Sequence, residues 1–156
     1  MSFSLDIAKF AQKALGNADI VVRKTVLDLG TSLVERTPVG DATLWKRPEN
    51  KPPGYVGGHA RANWSHSIGA QSIKEFKAVD DSAAENNISM RRIARSLGKE
   101  RRSGQTAVDN VHFIQNSVPY IVALEDGHST QAPHGMVALA TLEFQSIIRG
   151  AVGGLK

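Results

Sequence analysis

Apolar positions in residues 3–36 recur at steps of three and four: Phe3, Ile7, Phe10, Ala14, Ala18, Val22, Val26, Leu29 and Leu33. This period predicts one amphipathic helix, with Lys9, Lys13, Arg23, Lys24 and Asp28 off the stripe. Thr37–Pro38 ends it, because proline disfavours the helical conformation in the residue before it. A straight helix over this span is about 51 Å long at 1.5 Å per residue. A compact chain of this length has a radius of gyration of about 15 Å, a sphere about 40 Å across. Either the helix bends at Gly16–Asn17, or it projects and leaves an apolar stripe for a neighbour to cover.

The pattern then changes. Residues 37–60 hold four of the six prolines (Pro38, Pro48, Pro52 and Pro53) with Gly40, Gly54, Gly57 and Gly58. This composition predicts a long loop or arm, and Trp45 and Tyr55 within it argue against a simple linker. The two aromatics are expected either to anchor the arm on a partner or to tuck onto their own fold.

Residues 61–70 alternate Trp64, His66 and Ile68 against Asn63, Ser65 and Ser67, a strand pattern, and 71–79 is read as a strand pairing with it. A second helix is expected over 82–98, opened by the capping box Ser82-x-x-Glu85 and stopped by Gly98. Residues 99–108 read as a polar connection and 110–116 as a second strand. A short helical turn over 118–126 has Pro119 near its start and Gly127 at its end, and a last helix is expected over 134–149. The implied class is α+β: helices packed on a small, mainly antiparallel sheet, in a single domain over 1–156 with the 37–60 arm.

Composition supports a folded chain. Of 156 residues, 41% are hydrophobic and 22% charged, which allows a buried core. The absence of cysteine excludes disulfides, thiolate metal sites and a cysteine nucleophile. No apolar run approaches the length of a membrane span, and the N-terminus lacks the pattern of a secretory signal. A cytoplasmic soluble protein is the default expectation.

The net charge of +4 is unevenly spread. Between 88 and 104, Arg91, Arg92, Arg95, Lys99, Arg101 and Arg102 face Glu100 alone. Such a block fits either a solvated helix face or a patch for phosphates, read without sequence specificity. No aromatic sits among these cations, which argues against a single-strand stacking platform.

No catalytic signature stands out. Histidines 59, 66, 112, 128 and 134 lack metal-ligand spacing, and His66 and His112 read as packing residues in strands. The adjacent carboxylates Glu125 and Asp126 point apart and read as loop or helix-end residues. Gly57–Gly58 and Gly153–Gly154 have no phosphate-loop context, and no nucleophile elbow is present. The expectation is therefore a protein that is not an enzyme and needs no cofactor or metal. A small hydrolase or nuclease using Glu125, Asp126 or His128 is the minor alternative.

Two segments resemble the tail-completion, or neck, proteins of long-tailed bacteriophages. The first carries Thr37-Pro38-Val39 and Arg61-Ala62-Asn63-Trp64. The second, within 110–140, matches at Asn116, Pro119, Tyr120, Leu124, Glu125, Gly127, Ser129, Ala132, Pro133, Gly135, Met136 and Val137. The order of elements is similar too. The chain departs from the family in its expanded 40–58 loop, and the resemblance does not carry the basic segment 81–108.

The resemblance implies a structural virion protein: a subunit, made in the host cytoplasm, of a ring that is commonly sixfold. Such a ring joins the head connector, or stopper, to the tail tube or terminator, and genomic DNA passes through its channel. The resemblance implies no activity and no cofactor. Under this reading Arg91, Arg92, Arg95, Lys99, Arg101 and Arg102 are candidates for the channel. Trp45, Tyr55, Pro52, Pro53, Phe3 and Phe10 are candidates for subunit interfaces. A tail terminator and a free, non-sequence-specific DNA-binding protein are the alternatives.

Overall fold

The computed structural model describes residues 3–77 and 87–155. Helix α1 (Phe3–Arg36) is followed by short 3-10 turns at Ala42–Leu44, Pro48–Asn50 and Arg61–Asn63. Then come strand β1 (Ser65–Ile68), helix α2 (Asn87–Arg102), strand β2 (His112–Gln115), helix α3 (Ile121–Glu125) and helix α4 (Val137–Gly153). This is an α+β architecture, as the hydrophobic pattern predicts.

Helix α1 runs unbroken through Gly16–Asn17, so the bend is not used and the helix projects. Residues 5–16 are exposed, and burial begins only in the turns leading to Thr25 and Val26. Among the described residues, a Cβ built on Gly16 would meet nothing within 4 Å. The C-terminal half packs between α2 and α4. Gly30 makes this possible on the α2 side: a Cβ there would lie 2.8 Å from Ile93 Cδ1.

The sheet is a two-stranded antiparallel ribbon, β1 on β2, with His66 opposite Ile114 and Ile68 opposite His112. One core cluster joins Leu33, Val34, Trp64, Ala132, Met136 and Ala140, and a second joins Val26, Ile93 and Leu97. Met90 and Ile114 touch both.

Several boundaries differ from expectation. Residues 71–77 form no strand; the rest of the expected strand, 78–79, lies outside the described residues. The hydrogen bonds of 71–77 go to side chains instead. Asn63 Oδ1 accepts from Phe76 N (2.7 Å) and its Nδ2 donates to Phe76 O (3.1 Å), as a strand partner would. Gln115 Oε1 accepts from Ser72 N. Trp64 precedes β1 rather than lying in it, because Arg61–Asn63 take a 3-10 turn.

Helix α2 passes through Gly98 to Arg102, and Gly104 (φ 78°) stops it. There Gln105 N donates to Glu100 O and Gly104 N to Arg101 O, the paired bonds of a Schellman stop. Glycine ends a helix where it takes positive φ, which Gly98 does not. The capping box Ser82–Glu85 lies outside the described residues. Helix α4 begins at Val137, three residues later than expected, and continues to Gly153.

Candidate nucleic-acid and subunit interfaces

The basic segment is built on α2. At 100° per residue, Arg91, Arg95, Lys99 and Arg102 fall within about 80° of one another and form one exposed row. The only carboxylate of the segment faces the other way. Glu100 has a side chain 1% exposed; it accepts from Arg23 at 3.1 Å, and Asn110 Nδ2 donates to it. Arg23 also bonds Asp19 (2.7 Å), Leu97 O (2.8 Å) and Gln105 O (3.1 Å), tying α1 to the end of α2. Asp19 in turn accepts from Ala107 N. The Arg23 guanidinium holds the Asp19 carboxyl below its usual range, against the opposing effect of burial. This anchoring turns the outer face of α2 into a row of cations.

Two of the six channel candidates fall outside the row. Arg92 is part-buried: its guanidinium donates to Ala62 O (2.8 Å) and Trp64 O (3.0 Å) and lies 3.6 Å from the Phe76 ring centroid. It holds β1's approach to α2 and is a structural residue. Arg101 is exposed on another side of the helix, where its charge reaches Asp19.

The 37–60 arm folds back on its own chain. Trp45 and Tyr55 meet edge to face with ring centroids 4.9 Å apart. The Tyr55 hydroxyl sits where a Cβ on Gly40 would be, 2.0 Å from that position. A Cβ on Gly57 (φ 73°) would lie 2.4 Å from Gly40 O. These two glycines let the arm fold back on its own chain. Pro52 and Pro53 are exposed at its tip. Between the arm and α3 lies an open cleft of about 670 Å³, with Leu44, Trp45, Tyr55, Tyr120, Leu124 and His128 on its walls. Burial pushes the Tyr55 and Tyr120 hydroxyls up in pKa.

Of the other interface candidates, Phe10 is 74% exposed on the projecting part of α1. Phe3 opens the same helix. The candidates thus fall on three separate surfaces: the α2 row, the arm with its cleft, and the α1 tip.

The residues that carry the family resemblance meet inside the fold. Thr37 Oγ1 donates to Leu33 O (2.6 Å) and accepts from Trp64 Nε1 (2.7 Å). Arg61 Nε donates to Thr37 O (2.7 Å), closing the end of α1. Asn116 caps Val118 N and donates to Ala60 O. Glu125 accepts from three successive backbone amides, Met136 (2.8 Å), Val137 (2.9 Å) and Ala138 (2.8 Å), at the start of α4. Burial raises its pKa, but those three N–H donors outweigh it and hold the carboxyl below the ordinary range. Gly135 (φ 70°) leaves room for it: a Cβ there would stand 2.6 Å from Glu125 Oε1.

Sequence reasoning assigned Glu125 to a loop or helix end and missed this role. Capping signals are read three residues apart, whereas this cap spans eleven. The Arg23 junction was missed for the same reason: Asp19 is four residues away, but the partners that tie α1 to the end of α2 lie 74–82 residues away.

Compared with known proteins, the chain matches no family model, no curated protein and no solved structure. Among the described residues, no group of three or more His, Asp or Glu could hold a metal. No described helix is long and apolar enough to cross a membrane.

Proposed function

We propose that this chain is a structural subunit of a tailed-phage neck: a tail-completion ring that joins the head connector to the tail and surrounds the DNA. The observation that carries this reading is the exposed row Arg91, Arg95, Lys99 and Arg102, whose helix turns its one carboxylate inward. Such a row neutralises phosphates without reading bases. The resemblance at Thr37–Val39, Arg61–Trp64 and 116–137 supports the same reading, since those residues form one connected structural unit.

In this reading the assembly is a homo-oligomeric ring, sixfold as in the resembling family, with the α2 row toward the channel. A head-to-tail interface closes into such a ring when its rotation permits. The arm with Trp45, Tyr55, Pro52 and Pro53, and the α1 tip with Phe3 and Phe10, are the surfaces left for neighbouring copies, the connector and the tail-tube or terminator proteins. The subunit is made in the host cytoplasm and resides in the virion neck; it has no catalytic task and needs no cofactor.

The test combines imaging with binding. Negative-stain images of the purified chain, alone and with its portal and tail-tube neighbours, are expected to show rings with a central channel. Isolated subunits are expected to hold duplex DNA weakly. A tail terminator would cap purified tail tubes without joining heads. A monomer that binds duplex tightly, with a steep salt dependence and no ring, would overturn the neck reading in favour of a free DNA-binding protein.

A further inference from the structure

The tip of α1 carries its own pairing code. Ile7, Phe10 and Ala14 follow steps of three and four, the spacing of a coiled-coil seam. Ile7 is 51% and Phe10 74% exposed, and Ala14 is exposed beside them. One edge of this seam bears Asp6 and Lys13, seven residues apart and therefore at the same heptad position. The other edge bears Ala11, small enough for close approach. Among the described residues, no ion pair engages Asp6 or Lys13, and both are exposed.

We infer that the α1 tips of two copies pair antiparallel along this seam, making a two-fold dimer of this chain. The orientation follows from charge. In a parallel pair the Asp6/Lys13 edge of one helix faces the alanine edge of the other, and no opposite charges meet. In an antiparallel pair that edge faces itself. With Ile7 opposite Phe10 of the second copy, Asp6 comes within one helical turn of Lys13 of the second copy, twice by symmetry. The helix needs no help to form, because its C-terminal half is already folded against α2 and α4. The seam is only about two heptads long, so the interface falls at the small end and association is concentration-dependent.

The α1 tip is one of the surfaces the ring reading offers to neighbours, yet the inference does not rest on that reading. An isologous contact cannot close a ring, so a two-fold pair either precedes a ring or links two of them.

Analytical ultracentrifugation of the full chain tests it over roughly 1 to 100 μM. The wild-type mass is expected to climb from 16.8 kDa toward twice that value as concentration rises. Asp6→Lys is expected to raise the dissociation constant at least about tenfold. The double variant Asp6→Lys/Lys13→Asp restores it, because both bridges reform with reversed sign. Phe10→Glu, at an exposed position, is expected to abolish pairing while circular dichroism and thermal unfolding, taken at concentrations where the wild type is monomeric, stay unchanged. A mass fixed at 16.8 kDa overturns the inference, as does a dimer indifferent to Asp6→Lys or one the double swap fails to rescue. A larger ring insensitive to the swap also overturns it while supporting the proposed function. A dimer that obeys the swap but never forms rings upholds the inference and counts against the neck reading.

Discussion

His66 Nε2 and His112 Nδ1 lie 2.9 Å apart, joining β1 to β2 through two imidazoles whose rings are 5.2 Å apart and nearly parallel. The direction of this bond follows from its neighbours. Ala107 O can only accept, so His112 Nε2 carries a hydrogen, and in the neutral ring His112 Nδ1 is then the acceptor. His66 Nε2–H therefore donates to it, and His66 Nδ1 accepts from Ser96 Oγ. A serine of α2 is tied through both rings to the 107 loop.

This chain makes stability pH-dependent. Burial, then the neighbouring His112, lowers the His66 pKa to about 4 from its ordinary 6.5. Above pH 6.5 neither folded nor unfolded His66 is protonated, so it adds no slope. Below 6.5 the unfolded chain binds the proton first, and stability falls until the folded pKa is reached near 4. The full loss is on the order of 3 kcal/mol for this 7%-exposed residue. Urea unfolding at several pH values should show this fall, and His66→Gln should flatten it between pH 6.5 and 4.

Glu125 acts in the same direction as His66 but at lower pH. Its folded pKa lies below the ordinary carboxyl value, so its contribution is complete above that value and disappears as pH falls through the folded pKa. Glu125→Ala strips three amides of their acceptor and should cost about 2 kcal/mol at pH 7. Glu125→Gln should recover part of it. Gly135→Ala should be at least as damaging, since it forces both a strained φ and a clash with Glu125. Chemical denaturation of the three variants checks the order.

Trp64 and Thr37 are coupled. Trp64→Phe leaves Thr37 Oγ1 with its bond to Leu33 O but without its indole donor, at a cost of about 1 kcal/mol. Trp64→Ala should cost about 3–5 kcal/mol through the cavity left beside Leu33 and Met136. A double-mutant cycle with Thr37→Val should return a coupling energy near that of the single hydrogen bond.

The arginines of α2 should separate by position. Arg95→Ala/Lys99→Ala/Arg102→Ala should leave thermal unfolding within a few degrees of wild type. The same triple variant should flatten the salt dependence of duplex binding, by about 0.9 in the logarithmic slope for each phosphate that is no longer neutralised. Arg92→Ala should do the reverse, destabilising the fold by loosening Ala62, Trp64 and Phe76 while changing the salt slope little. Filter binding and calorimetry on both variants decide it.

Periodicity alone determined much of this fold. The three-and-four spacing from Phe3 to Leu33 specified α1, Pro38 specified its end, and the alternation around His66 and Phe113 specified the two strands, because these signals act between near neighbours. Length arithmetic also reduced α1 to two outcomes, a bend or a projection. The tertiary structure chose projection, since among the described residues nothing packs beside Gly16 to reward a turn. It also decided which cation is structural, which carboxylate caps α4 and where residues 71–77 find their hydrogen bonds. Arg92 and Arg95 are three positions apart on one helix, yet only Arg92 has the carbonyls of Ala62 and Trp64 within reach. Glu125 becomes a cap only when the chain returns it to Met136. Such roles depend on distances between remote segments, and a one-dimensional pattern holds no record of those until the chain has folded.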